Sequence, residues 1–208
     1  MKRSRAAFLD RDGVLNELVY FEEAGIIDSP FHEGHVRLLP GVCEGIRILH
    51  DLGYQVVVAS NQPGVAKGHL SRAGLDRVTR RLETLLAEGD AHLDAVYYCL
   101  HHPQGRVPEW TGDCECRKPK PGLLLRASAE RGIDLSQSIF IGDSVTDVQA
   151  GLAAGCRTIL VGRVRCDLCQ HLEEQGVKPH RIASSLREAA QLLLAKEGIP
   201  DEAFHRHG

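Results

Sequence analysis

At 208 residues, 43% apolar and 25% charged, the chain suits one compact domain with a sizeable core. Its 25 basic and 28 acidic residues leave a formal charge of −3, which excludes a bulk pull toward nucleic acid. An anionic ligand therefore has to be held by local cations or by a metal. No apolar run approaches the roughly 18 residues that span a bilayer, and the apolar stretch behind the basic start ends at Asp10, too short for a secretory segment.

Several short apolar runs rich in Val, Ile, Phe and Tyr read as strands covered on both faces: Ala6–Asp10, Gln55–Ser60, Ala95–Cys99, Ser138–Asp143 and Arg157–Val161. Between them the apolar residues recur at helical spacing. Gly41–Leu52 carries Val42, Ile46 and Leu49 on one face, and Ser71–Glu88 aligns Leu75, Val78, Leu82, Leu85 and Leu86. Pro121–Arg131, Val145–Ala154 and Leu186–Lys196 look similar. The alternation predicts an α/β fold, a parallel sheet between helical layers spanning 1–208 as a single domain. Asn16–Pro40 and His101–Pro121 lack periodicity, and irregular stretches of that length in compact domains are usually functional or disordered.

Asp10 and Asp12 lie two residues apart at the end of the first predicted strand, where extended geometry sends both to one side. Ser60-Asn61, the Cys99 region and Gly142-Asp143-Ser144 close three other predicted strands, and carboxyl ends of parallel strands form the ligand crevice. Such a mix suits phosphate ester hydrolysis. Asp10 and Asp143 offer the hard oxygens that Mg²⁺ prefers. Asp10 attacks phosphorus, and Asp12 serves as general acid and then base, which requires a raised pKa beside a second carboxylate. Lys118 and the Ser60 hydroxyl stabilise phosphoryl charge. Asp147 stands three residues after Ser144, and the spacing fits a helix cap as well as support for the metal.

Seven cysteines in a chain this long read as thiols, not staples. Cys99, His101, Cys114 and Cys116 make a full tetrahedral set for a structural Zn²⁺ in a loop at about 99–118, leading straight into Arg117-Lys118. His101 is preferred to His102 because its spacing from Cys99 mirrors the Cys114 pair. Cys166, Cys169 and His171 are taken as incidental helix residues, and Cys43 and Cys156 as ordinary buried thiols.

Asp10-Arg11-Asp12-Gly13, Ser60-Asn61-Gln62, Arg117-Lys118-Pro119 and Gly142-Asp143, in this order, resemble the haloacid-dehalogenase-like (HAD-like) phosphatases. The strings Tyr97–Pro103 and Cys114–Gly122 resemble the zinc-loop branch that holds D,D-heptose 1,7-bisphosphate 7-phosphatases and histidinol-phosphate phosphatases. The resemblance implies a Rossmann-like sheet without a large cap domain. It implies Asp10 as nucleophile and Mg²⁺ ligand, Asp12 as acid/base that binds metal through its backbone carbonyl, and Asp143 as a further Mg²⁺ ligand. Ser60 and Asn61 would contact phosphate or substrate, Arg117 and Lys118 would form the cationic pair, and the cluster residues would hold Zn²⁺. The expected activity is removal of phosphate from a small phosphorylated metabolite, heptose bisphosphate first and histidinol phosphate as the alternative. A non-catalytic phosphate-binding module is the reading from another class, and the presence of both Asp10 and Asp12 argues against it. A cytoplasmic monomer without nucleic acid or membrane partners is expected.

Overall fold

A computed structural model describes residues 4–162 and 172–197. Cys166, Cys169 and His171 lie outside the described residues. Six strands form one parallel sheet: β1 (Arg5–Leu9), β4 (Tyr54–Asn61), β5 (Ala95–Cys99), β6 (Ile139–Gly142), β7 (Arg157–Val161) and β8 (Arg181–Ala183), in the order β5-β4-β1-β6-β7-β8. Between β1 and β4 the chain makes a small antiparallel hairpin of β2 (Val19–Phe21) and β3 (Ile26–Asp28), then α1 (Val42–Asp51). Further helices among the described residues include α2 (Arg72–Glu88), α3 (Gly122–Arg131), α4 (Val145–Ala153) and α5 (Leu186–Glu197).

Strand periodicity sorts the core into two layers. Ala7, Leu9, Val56 and Val58 face one side, where Ile46 and Leu49 of α1, Val78, Leu82 and Leu86 of α2, and Ala189 and Ala190 of α5 cover them. Ala6, Phe8, Val57 and Ala59 face the other side, against Leu123, Leu124 and Ala127 of α3 and Ala150 of α4. Both faces are buried, which is why the strands read as continuous apolar runs. The expected α/β three-layer architecture is therefore present. Among the described residues no helix is long and apolar enough to cross a membrane.

The strand order places the site. From β1 the chain moves outward to β4 and β5, then returns to the other side of β1 for β6 and β7. Connections leave β1 in opposite directions, so a crevice opens beyond its carboxyl end. Asp10, the next residue, stands at that switch point, its backbone N–H tied to the Ile141 carbonyl at 3.0 Å.

Candidate active site

Asp10, Asp12, Asn61, Lys118 and Asp143 line one cleft of about 240 Å³ at the carboxyl ends of β1, β4 and β6. Lys118 is the pivot. Its Nζ lies 2.9 Å from Asp10 Oδ1 and 2.6 Å from Asp147 Oδ1, and donates to the Ala59 carbonyl at 3.1 Å. The residue is only 4% exposed. Burial opposes its charge, but the Asp10 and Asp147 carboxylates outweigh that cost and hold its pKa above the ordinary lysine range. Asn61 fixes the lysine backbone reciprocally: Lys118 N donates to Asn61 Oδ1 at 3.0 Å, and Asn61 Nδ2 donates to the Lys118 carbonyl at 3.1 Å.

Asp12 is gripped by three donors. Arg11, fully buried, offers Nε at 3.1 Å and Nη2 at 2.9 Å to Oδ1, with Nη2 3.0 Å from Oδ2. Asn16 Nδ2 donates to Oδ1 at 2.9 Å and Gln62 Nε2 to Oδ2 at 2.7 Å. The sequence reading set Asp12 beside a second carboxylate; the structure surrounds it with N–H groups instead, and supplies them from Arg11, Asn16 and Gln62, none of which was picked out for this task.

The acidic groups that converge are Asp10, Asp143 and Asp147, whose nearest oxygens lie within 4.8 Å of one another. Burial, reinforced by Asp10 and Asp147 and partly offset by Lys118, pushes the Asp143 carboxyl up to about 8. Hard carboxylate oxygens in this density fit a small divalent ion such as Mg²⁺. Gly13 makes the approach possible: its φ of 79° is left-handed, and a Cβ there would collide with Asp143 Oδ2. Asp147 caps the helix with one oxygen and faces Lys118 with the other. Oδ2 accepts from Ser144 N at 3.0 Å and Ser144 Oγ at 2.7 Å at the start of α4, while Oδ1 faces Lys118.

The soft cluster also assembles. Sγ atoms of Cys99, Cys114 and Cys116 lie 3.1–3.5 Å apart, and His101 Nδ1 lies 3.8 Å from Cys99 Sγ and 3.5 Å from Cys116 Sγ. A tetrahedral ion with Zn–S bonds of about 2.3 Å needs edges of roughly 3.8 Å, so the four donors fit with slight expansion. The Cys116 thiol is pulled below the ordinary cysteine range, first by its bond with Cys99. His102 instead accepts from Gln104 N at 3.1 Å in the adjoining turn. The loop closes back on the molecule through Arg106 N and Val107 N, which donate to the Ala66 carbonyl at 2.7 and 2.9 Å.

Two predicted residues sit elsewhere. Ser60, 1% exposed, does not line the cleft; its Oγ accepts from Gln62 Nε2 at 3.1 Å beneath it. Arg117 lines a neighbouring cavity of about 190 Å³ with Lys118 and Lys120, and donates to the His101 carbonyl at 3.3 Å. Cys156 is buried as expected, whereas Cys43 is only partly buried. Sequence reasoning missed Asp28 and Ser29, which the hairpin carries to the cleft wall. The signal available was a short Asp-Ser-Pro turn, common enough to pass as a loop.

A doubly wound parallel sheet with an aspartate beyond its central strand, a buried lysine against it and an acidic group after β6 defines the HAD-like hydrolase class. The HAD-hydrolase-like family model matches residues 115–189. D-glycero-beta-D-manno-heptose-1,7-bisphosphate 7-phosphatase of Haemophilus influenzae is 42% identical over 152 residues, 73% of this chain and 77% of that one. The enzyme of the same name from Escherichia coli K12 is 39% identical over 160 residues, 76% and 78% of the two chains. The chain belongs to this phosphatase family, whose members are phosphoric monoester hydrolases. A crystal structure of D,D-heptose 1,7-bisphosphate phosphatase from B. bronchiseptica, complexed with magnesium and phosphate, superposes with a TM-score of 0.75 at 29% identity, covering 92% of this chain and 99% of that one.

Proposed function

We propose that the chain removes the 7-phosphate of D-glycero-D-manno-heptose 1,7-bisphosphate through a phospho-Asp10 intermediate, with Mg²⁺ as cofactor and Zn²⁺ as a structural ion. The observation that carries this reading is Lys118 between Asp10 and Asp147, at a cleft that also receives Asp12 and Asp143. The names of the 42% and 39% identical relatives support the substrate, and the magnesium and phosphate of the B. bronchiseptica structure support the metal. Free thiols at Cys99, Cys114 and Cys116 suit the reducing cytoplasm.

An Asp10 oxygen attacks phosphorus as the bond from phosphorus to the sugar oxygen breaks. Asp12 gives that oxygen a proton, and the sugar leaves as an alcohol. Water then attacks the acyl phosphate, Asp12 takes its proton, and Asp10 and inorganic phosphate are released. Asp10, Asp143 and the Asp12 carbonyl would hold Mg²⁺, which would relieve the repulsion between carboxylate and phosphate as a Lewis acid. Lys118 orients Asp10 and offsets its charge, while Asn61 keeps the Lys118 backbone in place. Ser60 acts through Gln62, whose amide joins its hydroxyl to Asp12. Arg117, facing the adjoining cavity, is assigned to the phosphate that does not react.

Steady-state kinetics across phosphorylated sugars and histidinol phosphate test the reading. The heptose bisphosphate is expected to give the highest kcat/KM, and Asp10→Asn to abolish turnover while leaving ligand affinity intact. Preference for histidinol phosphate would overturn the substrate. Absence of turnover of every ester by Mg²⁺-replete protein would overturn the reaction.

A further inference from the structure

A third group of side chains able to ligate a metal lies at the far end of the sheet. Asp94 immediately precedes β5, whose last residue is Cys99. Five strand steps of about 3.3 Å separate the two, roughly 17 Å, so the groups are independent. His50 lies in the last turn of α1, while His92 and Asp94 belong to the connection from α2 to β5. Arg47 donates to the Gly89 carbonyl and so holds that connection against α1.

We propose that His50, His92 and Asp94 form a surface site for a divalent first-row transition ion, Zn²⁺, Ni²⁺ or Cu²⁺. The His50 and His92 rings stack with centroids 4.3 Å apart and planes 16° from parallel. His50 Nε2 is 2.9 Å from Asp94 Oδ2, and one donor atom from each of the three residues lies within 4.8 Å of the others. Two imidazoles and one carboxylate select imidazole-seeking ions over Mg²⁺.

The carboxylate is positioned in advance. The Val56 backbone N–H donates to Asp94 Oδ2 at 2.7 Å and, with His50, holds the acid ionised against the cost of partial burial. A metal entering here replaces the hydrogen bond between His50 and Asp94 and requires the exposed His92 ring to turn out of the stack, so that its in-plane lone pair meets the ion. His92 is exposed and the side chains of His50 and Asp94 retain 22% and 25% of their surface, which gives an ion an entry path and leaves coordination positions for water. The simpler role, a histidine–aspartate pair that tethers α1 to the start of β5, explains His50 and Asp94. It gives no account of the His92 ring laid over His50.

The experiment titrates untagged protein, its thiol cluster already loaded with Zn²⁺ and its carboxylate site saturated with Mg²⁺, with Ni²⁺ or Cu²⁺ by calorimetry. One additional ion per chain is expected. His50→Gln, His92→Gln and Asp94→Asn should each weaken it by no less than the ~10-fold that follows loss of a ligand's supporting partner. Turnover without added ion should match that of the unaltered protein. His92→Gln changes only an exposed ring, so a folding defect does not obscure the result. The proposal is overturned by saturation at the thiol cluster alone, or by an additional ion whose affinity ignores all three substitutions.

Discussion

Arg11 lies along the edge of the Asp12 carboxylate, with Nη2 at 2.9 and 3.0 Å from its two oxygens and no exposure of its own. Neighbours in sequence rarely pair this way; here the turn after β1 swings one beneath the other. The fork presents the acid at a fixed angle, which a point charge does not reproduce. Arg11→Met should lower unfolding free energy by about 3 kcal/mol, as expected for breaking a buried pair, and should reduce kcat more than it raises KM. Arg11→Lys should recover part of the stability and little of kcat. Urea titration together with steady-state kinetics reads both, and an unaltered kcat in Arg11→Met would detach Arg11 from the orientation of Asp12.

Asp147 offers a separation of cap from charge. Asp147→Asn keeps an oxygen for the Ser144 donors and loses the partner of Lys118; Asp147→Ala loses both. The alanine variant should be the less stable by about 1 kcal/mol, the usual value of a helix cap. Both should lose activity to a similar extent. Equal stability in thermal denaturation would show that the α4 cap contributes nothing.

Removal of Zn²⁺ by a chelator should lower Tm and reduce kcat, because Cys116 is two residues from Lys118 and the same loop ends by fixing it. Scanning calorimetry before and after chelation, with metal content measured on the same sample, checks this. Identical Tm values would make the cluster a bystander.

The crowded carboxylates give a pH signature. Asp143 is pushed up to about 8 from an ordinary 3.8, so the folded metal-free chain holds a proton there that the unfolded chain releases earlier. That contribution to stability is complete below about pH 4 and lost as pH rises through about 8. Bound Mg²⁺ replaces the proton, so the gain in Tm on adding Mg²⁺ should grow between pH 5 and pH 8. A gain that shrinks over that window would place the cation away from Asp143.

Much of this molecule is readable in its residues, and the unread parts share a cause. β5 and β7 begin and end where predicted, because buried strands leave unbroken apolar runs with polar stops. The edge strand β8 has three residues, with Arg181 and Ile182 exposed, and so leaves no such run. The hairpin of β2 and β3 is equally short and lies away from the core, which hid Asp28 and Ser29. Asp10 and Asp143 were legible as strand-end chemistry, and Lys118 as the cation to which the thiol loop leads. That Lys118 turns inward while Arg117 turns to the next cavity was not, because nothing in a dipeptide of two cations says which one is swallowed.

The bond from Val107 to the Ala66 carbonyl fastens the thiol loop to the segment that follows β4, while Cys116 fastens it to the segment that carries Lys118. Three neighbouring sulfurs, atoms open to oxidation, are thereby also the splint of this loop. An oxidant that captures Cys116 as a sulfenic acid or mixed disulfide would loosen the lysine without modifying a single carboxylate. Loss of turnover under peroxide would then trace to how the loop is tied, not to the groups that handle phosphate.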